Sequence, residues 1–263
     1  MKRSVLDLNA RGTILSLGHV TRIMGIVNCT PDSFSGDGKL SLDACLHYAR
    51  KLVREGADII DIGGESTRPK ALSVAPEEEI RRVIPVIKAL ARNIKIPISV
   101  DTYKLKVARC ALDAGASIVN NVKGTQISTG FLKMVRDYEA SIVIMHMRGD
   151  PTTMHRHAHY KNIISEVIKE LQISVDKCLE IGIKKERIIV DPGIGFAKTP
   201  DQNLMLIKHL NQLNKLQCAI LLGTSRKSFI GHVLQQDTPK LLMGTAATVA
   251  VGITQGGAYC PRP

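Results

Sequence analysis

Residues 55–63, Glu55-Gly56-Ala57-Asp58-Ile59-Ile60-Asp61-Ile62-Gly63, and their echo at 114–120, Ala114-Gly115-Ala116-Ser117-Ile118-Val119-Asn120, decide the fold. In each, a glycine closes a helix-period segment, relieving the left-handed strain of a helix end, and a short β-branched run follows at once. Gly256-Gly257-Ala258 repeats the device, although the sequence carries no strong repeat. Working outward, strand-like runs lie at 22–28, 58–62, 96–100, 117–122, 141–146, 187–191 and 219–223, with a weaker one at 258–260. Helix-period segments lie between them at 42–55, 77–92, 105–114, 129–139, 162–181, 202–213 and 241–255. Alternation of this kind predicts a parallel sheet, and seven clear βα units with a fainter eighth predict an α/β fold of the (β/α)8 TIM-type barrel class. Residues 5–16, turning at Arg11-Gly12-Thr13, read as a hairpin that plugs the barrel floor. No linker or shift of composition divides the chain, so residues 1–263 are expected to form a single domain.

The composition is that of an ordinary soluble globular protein: 263 residues, 44% apolar and 23% charged. Lys+Arg 36 against Asp+Glu 24 gives +12, which favours an anionic partner without choosing among nucleic acid, an acidic membrane face and a phosphorylated small molecule. The basic residues are dispersed, and Phe 4, Tyr 5 and Trp 0 leave too few aromatics for a base-stacking platform, so nucleic acid is set aside. Cys29, Cys45, Cys110, Cys178, Cys218 and Cys260 lie far apart, as expected of unpaired thiols in a cytoplasmic protein. Asp7, Asn9 and Arg11 interrupt the N-terminal segment, and no apolar run reaches bilayer length, so neither export nor membrane insertion is expected. The alternating imidazoles of His155, His157 and His159 follow a loop signal and read as a solvated loop rather than a metal site.

In a parallel barrel all strand carboxyl ends open on one face, and the polar residues cluster there. The first run ends in Asn28-Cys29-Thr30-Pro31-Asp32-Ser33-Phe34-Ser35, and the second in Asp61-Ile62-Gly63-Gly64-Glu65-Ser66-Thr67-Arg68-Pro69. Two glycines there let backbone approach a ligand, and Arg68 offers a planar anion clamp. The third run ends at Asp101, the fourth at Asn120-Asn121 and the sixth at Asp191-Pro192-Gly193-Ile194-Gly195-Phe196-Ala197-Lys198. Carboxylates and an amide around one axis suit a flat heterocycle with adjacent N–H donors on its edge. The seventh run leads into Thr224-Ser225-Arg226-Lys227-Ser228, whose hydroxyls and cations suit an anionic group.

Taken together, the segments 28–35, 61–69, 100–102, 145–147, 191–198 and 225–231 resemble the dihydropteroate synthase family of the folate pathway, a sulfonamide target, and the likeness runs from about residue 15 to 257. The resemblance implies a transferase reaction in which the amine of 4-aminobenzoate displaces diphosphate from 6-hydroxymethyl-7,8-dihydropterin diphosphate, with Mg2+ as cofactor. It implies that Asp101, Asn120, Asp191 and Lys227 hold the pterin, that Met145 and Phe196 line its slot, and that Asn28 helps hold Mg2+. It further implies that Phe34, Thr67, Arg68, Pro69 and Ser228 form the aminobenzoate site beside Ser225, with Asp101, Arg68 and Lys227 the catalytic residues. The implied partners are these small molecules, and a homodimer remains open. The chemistry agrees with the residue types independently: a neutral arylamine is a weak nucleophile, so easing the departure of diphosphate with fixed cations gains most.

Two features depart from the family pattern. Asn120-Asn121 stands where the family usually has Asn-Asp, removing a carboxylate. Tyr259-Cys260-Pro261-Arg262-Pro263 stands where the family has an Arg-x-His motif and a last helix, so the eighth βα unit is expected to be incomplete. A weakly active or inactive homologue, and a non-catalytic pterin- or folate-binding module, remain as alternatives at this level.

Overall fold

The computed structural model describes residues 5–30, 42–66, 73–150, 152–236, 241–257 and 259–262. Strands β1 (Leu6–Ala10) and β2 (Thr13–Leu17) form the expected antiparallel hairpin. Its two-residue turn places Arg11 and Gly12 at φ 53° and 94°, the primed geometry that matches strand twist. The remaining strands are β3 (Arg22–Asn28), β4 (Ile59–Gly63), β5 (Ile98–Asp101), β6 (Ile118–Asn121), β7 (Ser141–Met145), β8 (Ile188–Asp191), β9 (Ala219–Ile220) and β10 (Tyr259–Arg262). They make one parallel eight-stranded sheet in the order β10-β3-β4-β5-β6-β7-β8-β9. The weak run expected at 258–260 is the strand Tyr259–Arg262, which pairs with β3 from Tyr259↔Arg22 to Arg262↔Gly25.

Side-chain alternation explains how the sheet is buried on both faces. Ile60, Ile62, Ile98, Val100, Val119, Ile142, Ile144, Ile188 and Val190 point outward into one core with the helices, including Leu52, Val83, Leu112, Leu132 and Leu171. Met24, Ile59, Ile118, Val143, Ile189, Ala219 and Leu221 point inward and pack on Leu8, Ala10 and Leu17 of the hairpin. Because residues from β3 and β9, far apart in the strand order, share this inner cluster, the sheet is curled around it. The same inward parity carries Asn28, Asp61, Asp101, Asn120, Met145 and Asp191 toward the carboxyl end of the curl.

The hairpin is fastened as well as packed. The Arg11 guanidinium donates to Leu112 O (2.7 Å) and Ala116 O (3.1 Å), and Ser141 Oγ donates to Asn9 O (2.8 Å). Leu8 is 1% exposed inside the inner cluster, so Leu8→Ala is expected to cost about 2–5 kcal/mol. Chemical denaturation of the two proteins checks this, and an unchanged midpoint would show that the plug contributes little.

One helix differs from expectation. The segment 202–213 divides into an α-helix at Pro200–Lys208 and a 3-10 helix at Leu210–Leu216. Leu210, Leu213 and Leu216 are all buried at a spacing of three, which the three-residue turn aligns on one face. The α-helix itself starts sharply, because Thr199 and Gln202 form a reciprocal capping box with Pro200 in the first turn. A short helix at Ser228–Leu234 buries Phe229 and Ile230.

Candidate active site

Strand register brings the inward polar residues together. Asp101 sits opposite Asn120 across β5 and β6, and Met145 opposite Asp191 across β7 and β8. Beyond β8 the chain turns tightly: Asp191 Oδ1 accepts the Gly193 N–H at 2.7 Å, while the Asp191 carbonyl accepts the His146 N–H at 2.9 Å. Gly193 lies at φ 68°, and a Cβ there would stand 2.0 Å from His146 O, so only glycine fits. Asn203 Oδ1, from the capped helix, accepts the Gly195 N–H at 2.7 Å and ties down the far side of the loop. Phe196 thereby joins Met145, Met147, Met154, Val122 and Ala197 in a small apolar cluster, with Tyr103 packed against it. The Lys227 ammonium lies 4.3 Å from the centre of the Phe196 ring.

The charges at this mouth are held away from their ordinary protonation behaviour. Burial pushes the Asp191 carboxyl up to about 6, against the pull of the Gly193 N–H and of Lys227 and Lys198. Burial also raises Asp101 well above the usual carboxylate range, reinforced by the negative charges of Asp61, Glu79 and Glu65 and opposed by Lys227. Lys227 is lowered by burial and supported by Asp191 and Asp101. One cation thus feels the charge of two carboxylates while lying over an aromatic ring, an arrangement suited to a planar, hydrogen-bonding ligand.

Asn120, Met145, Phe196, Asp101, Asp191 and Lys227 therefore gather in one slot. Asn28 is exposed at the end of β3, with its Oδ1 3.6 Å from where a Gly63 Cβ would stand and Asp101 Oδ2 at 3.7 Å from the same point. Ser225 Oγ is buried without a hydrogen-bond partner among the described residues, and Ser228 is exposed at the start of its short helix. Phe34, Thr67, Arg68 and Pro69 lie outside the described residues. Asn121, the departure from the family pattern, is buried, and its Oδ1 accepts the Lys123 N–H at 2.9 Å. A carboxylate would accept that bond equally well, so the change leaves this turn intact.

Several structured polar groups were not assigned roles from sequence. Asp61, 2% exposed, accepts a 3.0 Å hydrogen bond from Asn120 Nδ2 and so orients that amide. Glu65, Lys104, Glu79 and Tyr103 form a second network, with Lys104 Nζ 2.5 Å from each of the two glutamates. A lone acid inside the apolar run Ile59-Ile60-Asp61-Ile62 was the available signal for the first; the second carried none. His157 and His159 are exposed beside a 3-10 turn, and no group of three or more His, Cys, Asp or Glu suited to a metal occurs among the described residues. No helix of the described residues is long and apolar enough to cross a membrane.

Residues 24–260 match the Pterin binding enzyme family. The dihydropteroate synthase of Synechocystis sp. is 45% identical over 246 residues, covering 93% of this chain and 85% of that protein. Among solved structures, the Xanthomonas albilineans dihydropteroate synthase with 4-aminobenzoic acid superposes with a TM-score of 0.90 at 38% identity, covering 98% of this chain and 92% of the other. The Yersinia pestis dihydropteroate synthase in a sulfonamide drug complex gives 0.91 at 36% identity, covering 97% and 93%. With family motifs and fold in agreement across nearly its whole length, the chain belongs to the pterin binding enzymes and, within them, to the dihydropteroate synthases.

Proposed function

We propose that this chain joins 4-aminobenzoate to 6-hydroxymethyl-7,8-dihydropterin diphosphate, giving 7,8-dihydropteroate and diphosphate. The observation that carries the reading is the slot itself: Asp101 beside Asn120 and Asp191 beside Met145 at the strand ends, with Phe196 in one apolar cluster with Met145 and Lys227 over the Phe196 ring. In this reading Asp191 accepts the paired N–H groups of the pyrimidine edge, Asn120 and Asp101 bond the rest of the ring, and Phe196 covers its face. Thr67, Arg68, Pro69, Phe34, Ser225 and Ser228 take the aminobenzoate, which is also where sulfonamides would compete. The bond from the exocyclic carbon to the diphosphate oxygen breaks with its electron pair leaving on diphosphate; the new C–N bond forms and the arylamine nitrogen gives up a proton. Arg68 and Lys227 supply fixed positive charge where negative charge grows.

Asn28 would hold Mg2+. Its exposed side chain, with no group of three or more His, Cys, Asp or Glu suited to a metal among the described residues, suits an ion held chiefly by substrate phosphate oxygens and water. When bound, the ion neutralises charge on the departing diphosphate. A closed (β/α)8 barrel forming one domain, a cytoplasmic setting and small-molecule partners complete the proposal. Diphosphate release from the pterin diphosphate tests it: release should require both 4-aminobenzoate and Mg2+, and no release with every component present would overturn the reading.

A further inference from the structure

Behind the slot runs a chain of buried and half-buried polar groups that the roles above leave unused. Lys198 is 7% exposed, and its ammonium donates to Phe196 O at 2.8 Å and to His146 Nδ1 at 3.0 Å, with His146 O at 3.4 Å. His146 is fully buried, and its Nε2 lies 3.0 Å from Glu170 Oε2 on the helix Ile163–Ile181. Arg148 donates to that same glutamate and, at 2.9 Å, to Glu166, while packing 4.0 Å from the centre of the Tyr160 ring. Tyr160 OH in turn donates to Ala197 O at 3.0 Å. With Lys198 donating to Nδ1 and a carboxylate at Nε2, the imidazole is neutral with its hydrogen on Nε2. Burial and the neighbouring Lys198 charge agree with this, holding His146 down to about 4.

We propose that Lys198 is a positioning residue that latches the two walls of the pterin slot, bonding the carbonyl of Phe196 on one wall and the imidazole next to Met145 on the other. The inference rests on the reading of the slot as the pterin site. An apolar side chain here would leave Phe196 O and His146 Nδ1 buried without partners, so the walls would drift apart or rotate to find them. The charges facing Lys198 are Asp191 from β8 and Glu170 from the helix, which favour the ammonium, and Arg148 and Lys227, which oppose it. Burial outweighs the carboxylates and lowers Lys198 to about 7, so raising the pH through neutrality removes one donor from the latch and one positive charge beside Asp191.

The test measures 6-hydroxymethylpterin binding by calorimetry, and KM for both substrates, across neutral pH for the full chain, Lys198→Met and Glu170→Gln. Lys198→Met should raise the pterin Kd and KM by about tenfold or more, leave KM for 4-aminobenzoate within about twofold, and abolish the weakening of pterin binding on the alkaline side. Glu170→Gln keeps an acceptor for His146 but removes an anion facing Lys198, so that alkaline weakening should begin at lower pH. Wild-type pterin affinity and pH dependence in Lys198→Met would overturn the latch. Should that variant not fold, an unmoved profile in Glu170→Gln would overturn it equally. A wild-type chain that binds no pterin would instead overturn the site reading, and the latch with it.

Discussion

Asp191→Asn is expected to weaken pterin binding by about 2–4 kcal/mol, roughly 30- to 900-fold, while making the empty protein more stable. Asp191 is 8% exposed, and of the two oxygens only Oδ1 is committed, to the Gly193 N–H. The amide would keep that bond and present an NH2 group to the ring's own N–H donors, replacing an attraction by a donor facing donors. Stability moves the other way for the same reason that binding is strong. Burial without a ligand raises the carboxyl from 3.8 to about 6, corresponding to roughly 3 kcal/mol held against the folded state once the group is ionised. Because the folded-state value lies above the unfolded one, the folded protein binds the extra proton, and this group's contribution falls as pH rises from 3.8 to about 6 and stays low above it. The melting temperatures of the two proteins should therefore coincide below about pH 3.8, diverge as pH rises to about 6 and stay apart above it, with the asparagine variant higher. Unchanged pterin affinity in calorimetry would remove Asp191 from the site. Identical melting at neutral pH would show that Lys198 and Lys227 already neutralise it.

The inward residues of the site were legible because strand alternation is local. Once Ile118-Val119-Asn120 is a strand, Asn120 shares the face of Ile118, and the same parity places Asp101 and Asp191. The need for glycine at Gly193, by contrast, shows only in the fold, where a Cβ would stand 2.0 Å from His146 O. What was hidden is partnership across the fold. His146 and Lys198 are separated by 52 positions and Glu65 and Lys104 by 39, and nothing in either neighbourhood announces the other. Lys198 reads from sequence only as the end of the segment 191–198, and only packing turns it into a buried donor. The split of 202–213 was hidden by a near coincidence of periods, since leucines spaced by three serve an α-helix almost as well as the tighter 3-10 turn. The weakest strand, at 259–262, is fixed by pairing with β3 rather than by its own residues, one of which, Pro261, is a poor strand former.

Chelation of Mg2+ is expected to stop diphosphate release altogether while leaving the binding of the uncharged hydroxymethyl pterin almost intact. The two effects separate because the groups they depend on are separate. In the proposed reading the ring is bonded by Asp191, Asn120 and Asp101, inside the curl, whereas Asn28 stands exposed at the end of β3, across Gly63 from Asp101. A single neutral amide oxygen supplies the smaller part of the affinity for a hard divalent cation, most of which must come from phosphate oxygens. The ion should therefore bind with the diphosphate substrate and only weakly to the empty protein, so calorimetry with Mg2+ alone should give little heat. Asn28→Ala should raise the Mg2+ concentration giving half-maximal turnover by roughly 10- to 100-fold, with pterin affinity unchanged. Turnover that survives excess EDTA would defeat the metal assignment and the role of Asn28 together, leaving Arg68 and Lys227 to carry the leaving-group charge. Loss of hydroxymethyl pterin binding in EDTA would instead mean that the ion is part of the ring site, and that Asn28 and Asp101 act as one unit across Gly63.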